Sequence, residues 1–391
     1  MFVLNKAGSD NRTERVVRSS WYSEARQQLS GALTNAILYY YRSEEGFSYE
    51  FRSTSAATSA LLDRAAGSQI LNLHYTRGLM TSWQAARIAR VTGARVVITL
   101  MDMGPLTGGC HYMRGCTNYQ RQCGRCPLIR SNFSYDVTRR AWRSRKRSYT
   151  AMAPTVVACN RWTRDRARES SLLGDARCEI IPLAIDLDIF RPIARATARD
   201  VLGVPANARI VFCGALKMGQ SRKGFDSLVD AFNRLPSKLD AQRAAANPVV
   251  IMTAGNGDFA RDIPLPFAHH HLGMLGDDRS LALAYSAADV FVSPSLEDAG
   301  PMMVNESLAC GTPVVAYAIG TAADHVEQGT NGWVAKLGDA DELAHGLAQV
   351  LDSNEPEKLR VRSREEAVDS FSPDRVARKY LDLYNELSSV P

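Results

Sequence analysis

The stretch VFVSPSLEDAGPMMVNESLACGTPVVAYAI (290–319) decides the fold. A short apolar run, VFVSPS (290–295), ends in the acid pair Glu297-Asp298 and a Gly300-Pro301 turn. A helical segment follows, closes at Gly311-Thr312-Pro313, and passes into a second apolar run, PVVAYAI (313–319). Apolar runs of this length without alternation belong to strands covered on both faces, and a helix between two of them makes them parallel. Loops after parallel strands are where ligands bind, so the acids beyond Ser295 lie where chemistry is expected.

The pattern extends in both directions. ILNLHY (70–75), RVVITLM (95–101), TVVACN (155–160) and CEIIPLAI (178–185) read as buried strands, as do RIVFCGAL (209–216) and PVVIMTAG (248–255). Helical periodicity lies between them, as in 82–93, 226–235 and 280–288. This alternation predicts an α/β protein with parallel sheets. Its 391 residues suffice for two or three domains. A Pro, a charge cluster and a new helix-strand unit at 186–200 mark the break, giving domains 1–186 and 187–370. Residues 371–391 form a closing amphipathic helix, apolar at Val376, Tyr380, Leu383 and Leu387.

Composition is globular, with 45% hydrophobic and 23% charged residues, which excludes a disordered or fibrous chain. No apolar run is long enough to span a bilayer and the start lacks a secretory pattern, so a cytoplasmic protein is expected. The net charge of +6 does not point to nucleic acid, but it suits phosphates or an anionic membrane face. RRAWRSRKR (139–147) is either a docking patch for anionic lipid or a solvated helix face. Cys159, Cys178, Cys213 and Cys310 read as small buried hydrophobes. Cys110, Cys116, Cys123 and Cys126 crowd together as C-x5-C-x6-C-x2-C; a structural zinc, two disulfides or free thiols are the alternatives.

Residues 293–335 resemble the group 1 (family 4) retaining nucleotide-sugar glycosyltransferases, whose GT-B architecture is two Rossmann-like domains facing across a cleft, with a C-terminal helix returning to the first. The family places an acid eight residues before a Glu that opens a helix leading to Ala-Cys-Gly-Thr-Pro-Val-Val. Here Glu306 is the second acid and Asp298 the first, with Glu297 adjacent. The resemblance assigns Glu306 to ribose hydroxyls, Glu297 or Asp298 to a sugar hydroxyl, and the helix start at Met302 and Met303 to donor oxygens. VFCGALKMGQSRKGFDSLVDAF (211–232) resembles the family's pyrophosphate loop, with Lys223-Gly224 at the Lys-Gly position and Arg222 and Lys217 beside it. An Arg common in the family is replaced by Ala215, so Arg222 is expected to supply the second cation. Gly273 falls near the donor base, and the triple His269-His270-His271 reads as a loop-to-strand surface rather than a metal tract.

The amino-terminal half resembles the exopolysaccharide, colanic-acid-type branch, through RVVITLMDMG and TGGCHY in 95–112. Met101 stands where that branch has a His, with Asp102 and Met103 retained. A thioether cannot donate the hydrogen bond that His gives the donor sugar, so Asp102 or His111 is expected to compensate. The alignment sets residues 1–10 on the family's second strand, leaving its first strand without a counterpart.

The resemblance thus implies a retaining transferase moving a sugar from a nucleoside diphosphate to a saccharide or lipid-linked acceptor in bacterial surface polysaccharide synthesis. Catalysis by such enzymes requires no metal or other cofactor. A sugar-nucleotide-binding relative without efficient transfer is the alternative, and a GT-B epimerase fits the Lys-Gly and acid motifs less well.

Overall fold

The computed structural model describes residues 2–3, 14–15, 55–76, 79–217, 220–257 and 263–389. The expected absence of a first strand falls on a segment largely outside those residues. The chain divides into two compact units, one built from 1–159, 163–180 and 381–391, the other from 160–162 and 181–380. The division falls at Ile181, ahead of the expected break after 186. Ile181 and Ile185 are buried in the second unit, and the Ile185 N–H donates to the Phe371 carbonyl at 3.0 Å.

In the first unit, two-residue strands β1 (Phe2–Val3) and β2 (Glu14–Arg15) pair in parallel. Helix α1 (Ser55–Ala65) then precedes a parallel sheet of β3 (Ile70–His74), β4 (Arg95–Leu100), β5 (Thr155–Ala158) and β6 (Cys178–Ile180), in that spatial order. Helix α2 (Ser82–Thr92) starts with a capping box between Thr81 and Gln84 and ends at Gly93 in the left-handed region. Helix α3 (Val137–Met152) is capped by Asp136, which accepts from the Thr138 and Arg139 N–H groups. The expected basic face at 139–147 is only partly solvated. Trp142 and Arg145 are buried, and Arg145 donates to the carbonyls of Gly104 and Thr107.

The second unit is larger. After α4 (Arg161–Glu169), which lies mostly in the first unit, the second runs through α5 (Arg195–Leu202), β7 (Arg209–Lys217), α6 (Phe225–Arg234), α7 (Ala241–Ala246), β8 (Val249–Asn256) and β9 (Ala268–His271). The chain continues through α8 (Asp278–Ala287), β10 (Val290–Ser293), α9 (Met302–Ala309), β11 (Val314–Tyr317), α10 (Ala322–His325) and β12 (Gly332–Ala335). Helices α11 (Ala340–Leu351) and α12 (Pro356–Phe371) complete it, and α13 (Pro373–Ser389) starts in this unit, with its residues from Leu381 on counted to the first. All six strands β7 to β12 are parallel, in the order β12-β11-β10-β7-β8-β9.

The two-residue period of β7 builds two cores at once. Ile210 and Phe212 pack with Tyr285, Val304, Leu308 and Phe371 on one face. Val211 and Cys213 pack with Leu228, Phe232, Leu343 and Leu347 on the other. Both faces are covered, which is why these strands read as unbroken apolar runs. Truncating Phe212 to Ala would cost about 3–5 kcal/mol.

All eight strands anticipated from the sequence are present; β9 and β12 were not anticipated. The His triple is an edge strand in which Thr253 Oγ1 bonds His269 and His271, both at 2.8 Å. The alternate spacing of those two histidines puts them on one side of the strand. Of the scattered cysteines, Cys159, Cys213 and Cys310 are buried and Cys178 is half-buried.

Candidate functional site

The second-unit sheet reverses its order of addition between β7 and β10. The chain builds outward through β8 and β9, then returns to place β10 on the other side of β7. Brought together at this switch point are residues 220–224 beyond β7 and the loop 294–301 after β10, which carry most of the expected donor residues.

Gly224 fixes the approach of the two loops. It sits at φ +69, where a side chain is strained, and an added Cβ would lie 1.9 Å from the Pro294 carbonyl oxygen. The Arg222 carbonyl accepts the Leu296 N–H at 2.8 Å. Across this seam Asp298 gathers the charges. Its Oδ2 takes the Lys223 ammonium at 2.6 Å and the Arg222 guanidinium at 3.5 Å, while its Oδ1 accepts the Gly300 N–H at 3.3 Å. Asp298 is only 6% exposed, whereas Glu297 is half-buried. Two cations share this one buried carboxylate at the start of α9, with Glu297 adjacent. That helix begins at Pro301 without a side-chain cap, and its dipole adds to the same field.

Glu306 lies one turn into α9 and accepts a hydrogen bond from the Tyr285 hydroxyl at 2.9 Å. Burial, followed by the Asp278 charge, raises its carboxyl to about 7, although the Tyr285 bond pulls the other way. The turn after α9 is held by Thr312, whose Oγ1 donates to the Tyr285 carbonyl at 2.7 Å, and by Gly311 at φ +71. Asn160 Nδ2 donates to the Ala299 carbonyl at 2.5 Å, bracing the acidic loop. Gly273, at φ +70 just beyond β9, accepts the Gly255 N–H at 2.9 Å and has open space where a side chain would point. Of Lys217, only the backbone at the end of β7 is described.

In the first unit, Asp102 follows β4 and is buried. Its Oδ1 accepts the Gly104 N–H at 2.7 Å, and its Oδ2 is hydrogen-bonded to His111 Nδ1. The Tyr75 ring stacks on His111 with centroids 5.7 Å apart. Asp102, His111, Tyr75 and Met101 line a cavity of about 50 Å³. Met101 is 40% exposed. The sequence proposed Asp102 and His111 as separate candidates; the fold joins them into one pair.

The four clustered cysteines line a small cavity of about 20 Å³. All are free thiols, and Cys123 Sγ accepts the Gly108 N–H at 3.1 Å. Among the described residues, no group of three or more His, Cys, Asp or Glu is arranged to hold a metal ion. Burial pushes the Cys123 thiol up to about 12 and Cys126 to about 11, so both are protonated at neutral pH.

Sequence reasoning missed a groove of about 890 Å³ between α2 and α3. Arg87, Arg90, Arg95, Arg140, Arg143 and Arg147 line it, with no Asp or Glu in the lining. Arg140, Arg143 and Arg147 repeat at helical spacing along α3, a signal the basic run contained; α2 supplies the rest. Among the described residues no helix is long and apolar enough to cross a membrane.

Residues 207–353 match the family described as glycosyl transferases group 1. Two relatives are D-inositol 3-phosphate glycosyltransferases. That of Saccharomonospora viridis is 32% identical over 215 residues, covering 52% of this chain and 48% of its own length. That of Thermobispora bispora is 32% identical over 201 residues, covering 48% and 45%. The chain thus spans about half the length of the curated relatives it matches. Among solved structures, sucrose-phosphate synthase from Thermosynechococcus elongatus superimposes with a TM-score of 0.60 at 21% identity, over 85% of this chain and 78% of that one. Anabaena HepE, solved with UDP and glucose, gives 0.60 at 16%, over 84% and 81%. A glycosyltransferase from Rickettsia africae gives 0.61 at 17%, over 88% and 85%. The fold is therefore GT-B, two Rossmann-like parallel α/β units, and residues 207–353 carry the group 1 sequence.

Proposed function

We propose that this chain is a retaining glycosyltransferase that moves a sugar from a nucleoside diphosphate donor to a saccharide or lipid-linked saccharide acceptor. The observation that carries the reading is the Lys223–Asp298–Arg222 cluster beside the open start of α9, at the switch point of the second sheet. The diphosphate gains negative charge as the glycosidic bond breaks. Fixed cations and helix N–H groups meet that charge without reorganising, and the chemistry then needs no metal. Asp298 positions Lys223 and Arg222, and Glu306, as a carboxylate, accepts from the ribose hydroxyls. Glu297 faces the sugar from the same loop. Asp102 orients His111 in the first unit, where the pair takes the place of the His replaced by Met101.

One of the similar solved proteins, Anabaena HepE, was solved with UDP and with UDP-glucose, which makes a uridine donor the first to test. The arginine-lined groove supports contact of the first unit with an anionic membrane face, where a lipid-linked acceptor of surface polysaccharide synthesis lies. Met101 favours a second reading, a sugar-nucleotide binder that transfers poorly, because a thioether gives the donor sugar no hydrogen bond.

Incubation with UDP-glucose, UDP-galactose and UDP-N-acetylglucosamine, with release of UDP as the readout, separates the readings. Release that depends on an added saccharide supports transfer. UDP binding without release supports the binder, and neither one refutes both.

A further inference from the structure

At the opposite end of the second-unit sheet from the switch-point loops lies a pocket of about 300 Å³. It is lined at the starts of β7, β10 and β11 by Arg209, Asp289 and Pro313, and flanked by Arg195, Arg243 and Arg360. Asp289 is the one carboxylate in the lining, and it is already occupied. It accepts from Arg195, from Arg199 and from the Ile210 N–H, each at 2.7 Å. Arg209 bonds Asp352 at 2.6 Å, and its Nη2 is buried with no partner. Arg195 also reaches Glu357.

Two guanidiniums are left with carbonyl or amide oxygens instead of a carboxylate. Arg360 donates to the Ala288 carbonyl at 3.0 Å and the Ser286 carbonyl at 3.4 Å. Arg243 donates to the carbonyls of Asp352 and Ser353 and to the Asn354 side chain. Five guanidiniums (195, 199, 209, 243 and 360) against four carboxylates (240, 289, 352 and 357) leave an excess of positive charge around one pocket. Carbonyl oxygens satisfy the donors but do not neutralise the charge.

We infer that this pocket binds a phosphate dianion, either inorganic phosphate or the phosphate of a small sugar phosphate. Two guanidiniums whose side chains hydrogen-bond no carboxylate can turn to an anion, and the volume sits at the lower end of small-molecule pockets, about 300–1,000 Å³. Burial and the charge of Arg195 already push the Arg360 pKa down, a cost that an anion in the pocket would relieve. The site is distinct from the proposed donor site and goes beyond the proposed activity, since it stands on second-unit residues that take no part in sugar transfer.

The test is calorimetric titration of the full chain at constant ionic strength, once with inorganic phosphate and once with glucose 1-phosphate. Both titrations are repeated on Arg243→Gln, Arg360→Gln and Lys223→Ala. Saturable one-site binding is expected, weakened about tenfold or more in both arginine variants, as loss of a charged hydrogen bond implies. It should be unchanged in Lys223→Ala. Tighter binding of glucose 1-phosphate would mark a sugar phosphate as the ligand, and equal or weaker binding would mark free phosphate. Circular dichroism checks the folding of Arg360→Gln, while Arg243→Gln alters an exposed side chain. No saturable binding of either probe, or binding lost in Lys223→Ala and kept in the two arginine variants, would overturn the assignment.

Discussion

The two units share a parallel α/β plan, yet they present charge in opposite ways. In the second, buried Asp298 holds Lys223 and Arg222 at the mouth of the sheet, and a half-buried carboxyl, Glu306, lies on α9. In the first, the corresponding strand end holds an acid tied to a histidine, Asp102 with His111, beside an exposed thioether. One arrangement sets two cations on a buried carboxylate beside a helix start. The other offers a proton-carrying pair suited to a hydroxyl. The lesson is that one backbone architecture takes its chemistry from two or three loop residues at the strand ends.

The largest effect should come from the second unit. Lys223→Ala is expected to lower kcat for sugar transfer by about 100- to 1,000-fold, the scale for losing one preorganised charge at a leaving group. Steady-state UDP release measures it. Asp298→Asn should follow at about 10- to 100-fold, because Lys223 loses the partner that positions it. Glu297→Ala should cost less than Asp298→Asn; the reverse order would move the family's first acid to Glu297.

An intermediate effect is expected from Asp102→Asn in the first unit. It should lower kcat by about tenfold, within reach of one misoriented proton-carrying group, while leaving UDP affinity unchanged. If UDP affinity falls in parallel, the division of labour between the units is wrong.

The smallest effect is on stability. The folded-state pKa of Glu306, about 7, lies above the ordinary 4.5, so folding favours the protonated acid. That contribution is fully present below pH 4.5 and is lost as the pH rises through 7. Glu306→Gln, which mimics the protonated form, should therefore be more stable than the parent protein at pH 8, by about 2 kcal/mol, and equal to it near pH 4. Urea unfolding at the two pH values checks the sign.

How much of this was legible in the sequence depended on distance along the chain. The strand, acid loop, helix and Gly311-Thr312-Pro313 turn of 290–319 are encoded by adjacent residues, and the structure places each element there. The Lys223–Asp298 contact joins residues 75 apart, so motifs could name both partners but not pair them. That pairing ties Asp298 to Lys223 and Arg222, two cations the motifs had assigned separately from it. The Asp102–His111 bond was partly legible, since the two residues stood in neighbouring motifs nine positions apart. Strand β9 was not, because a run of histidines lacks the apolar signature by which the other strands were recognised. The pocket around Arg360 gave no signal at all, because its arginines are scattered from 195 to 360 and only the strand starts of the folded sheet gather them.

The most direct test of the central claim is calorimetric titration of UDP into the parent protein, Glu306→Ala and Asp102→Ala. If the second unit holds the nucleotide through Glu306, Glu306→Ala should weaken UDP binding by about tenfold or more, as loss of charged hydrogen bonds to the ribose implies, while Asp102→Ala binds as the parent does. Unchanged affinity in Glu306→Ala together with lost affinity in Asp102→Ala would contradict the account.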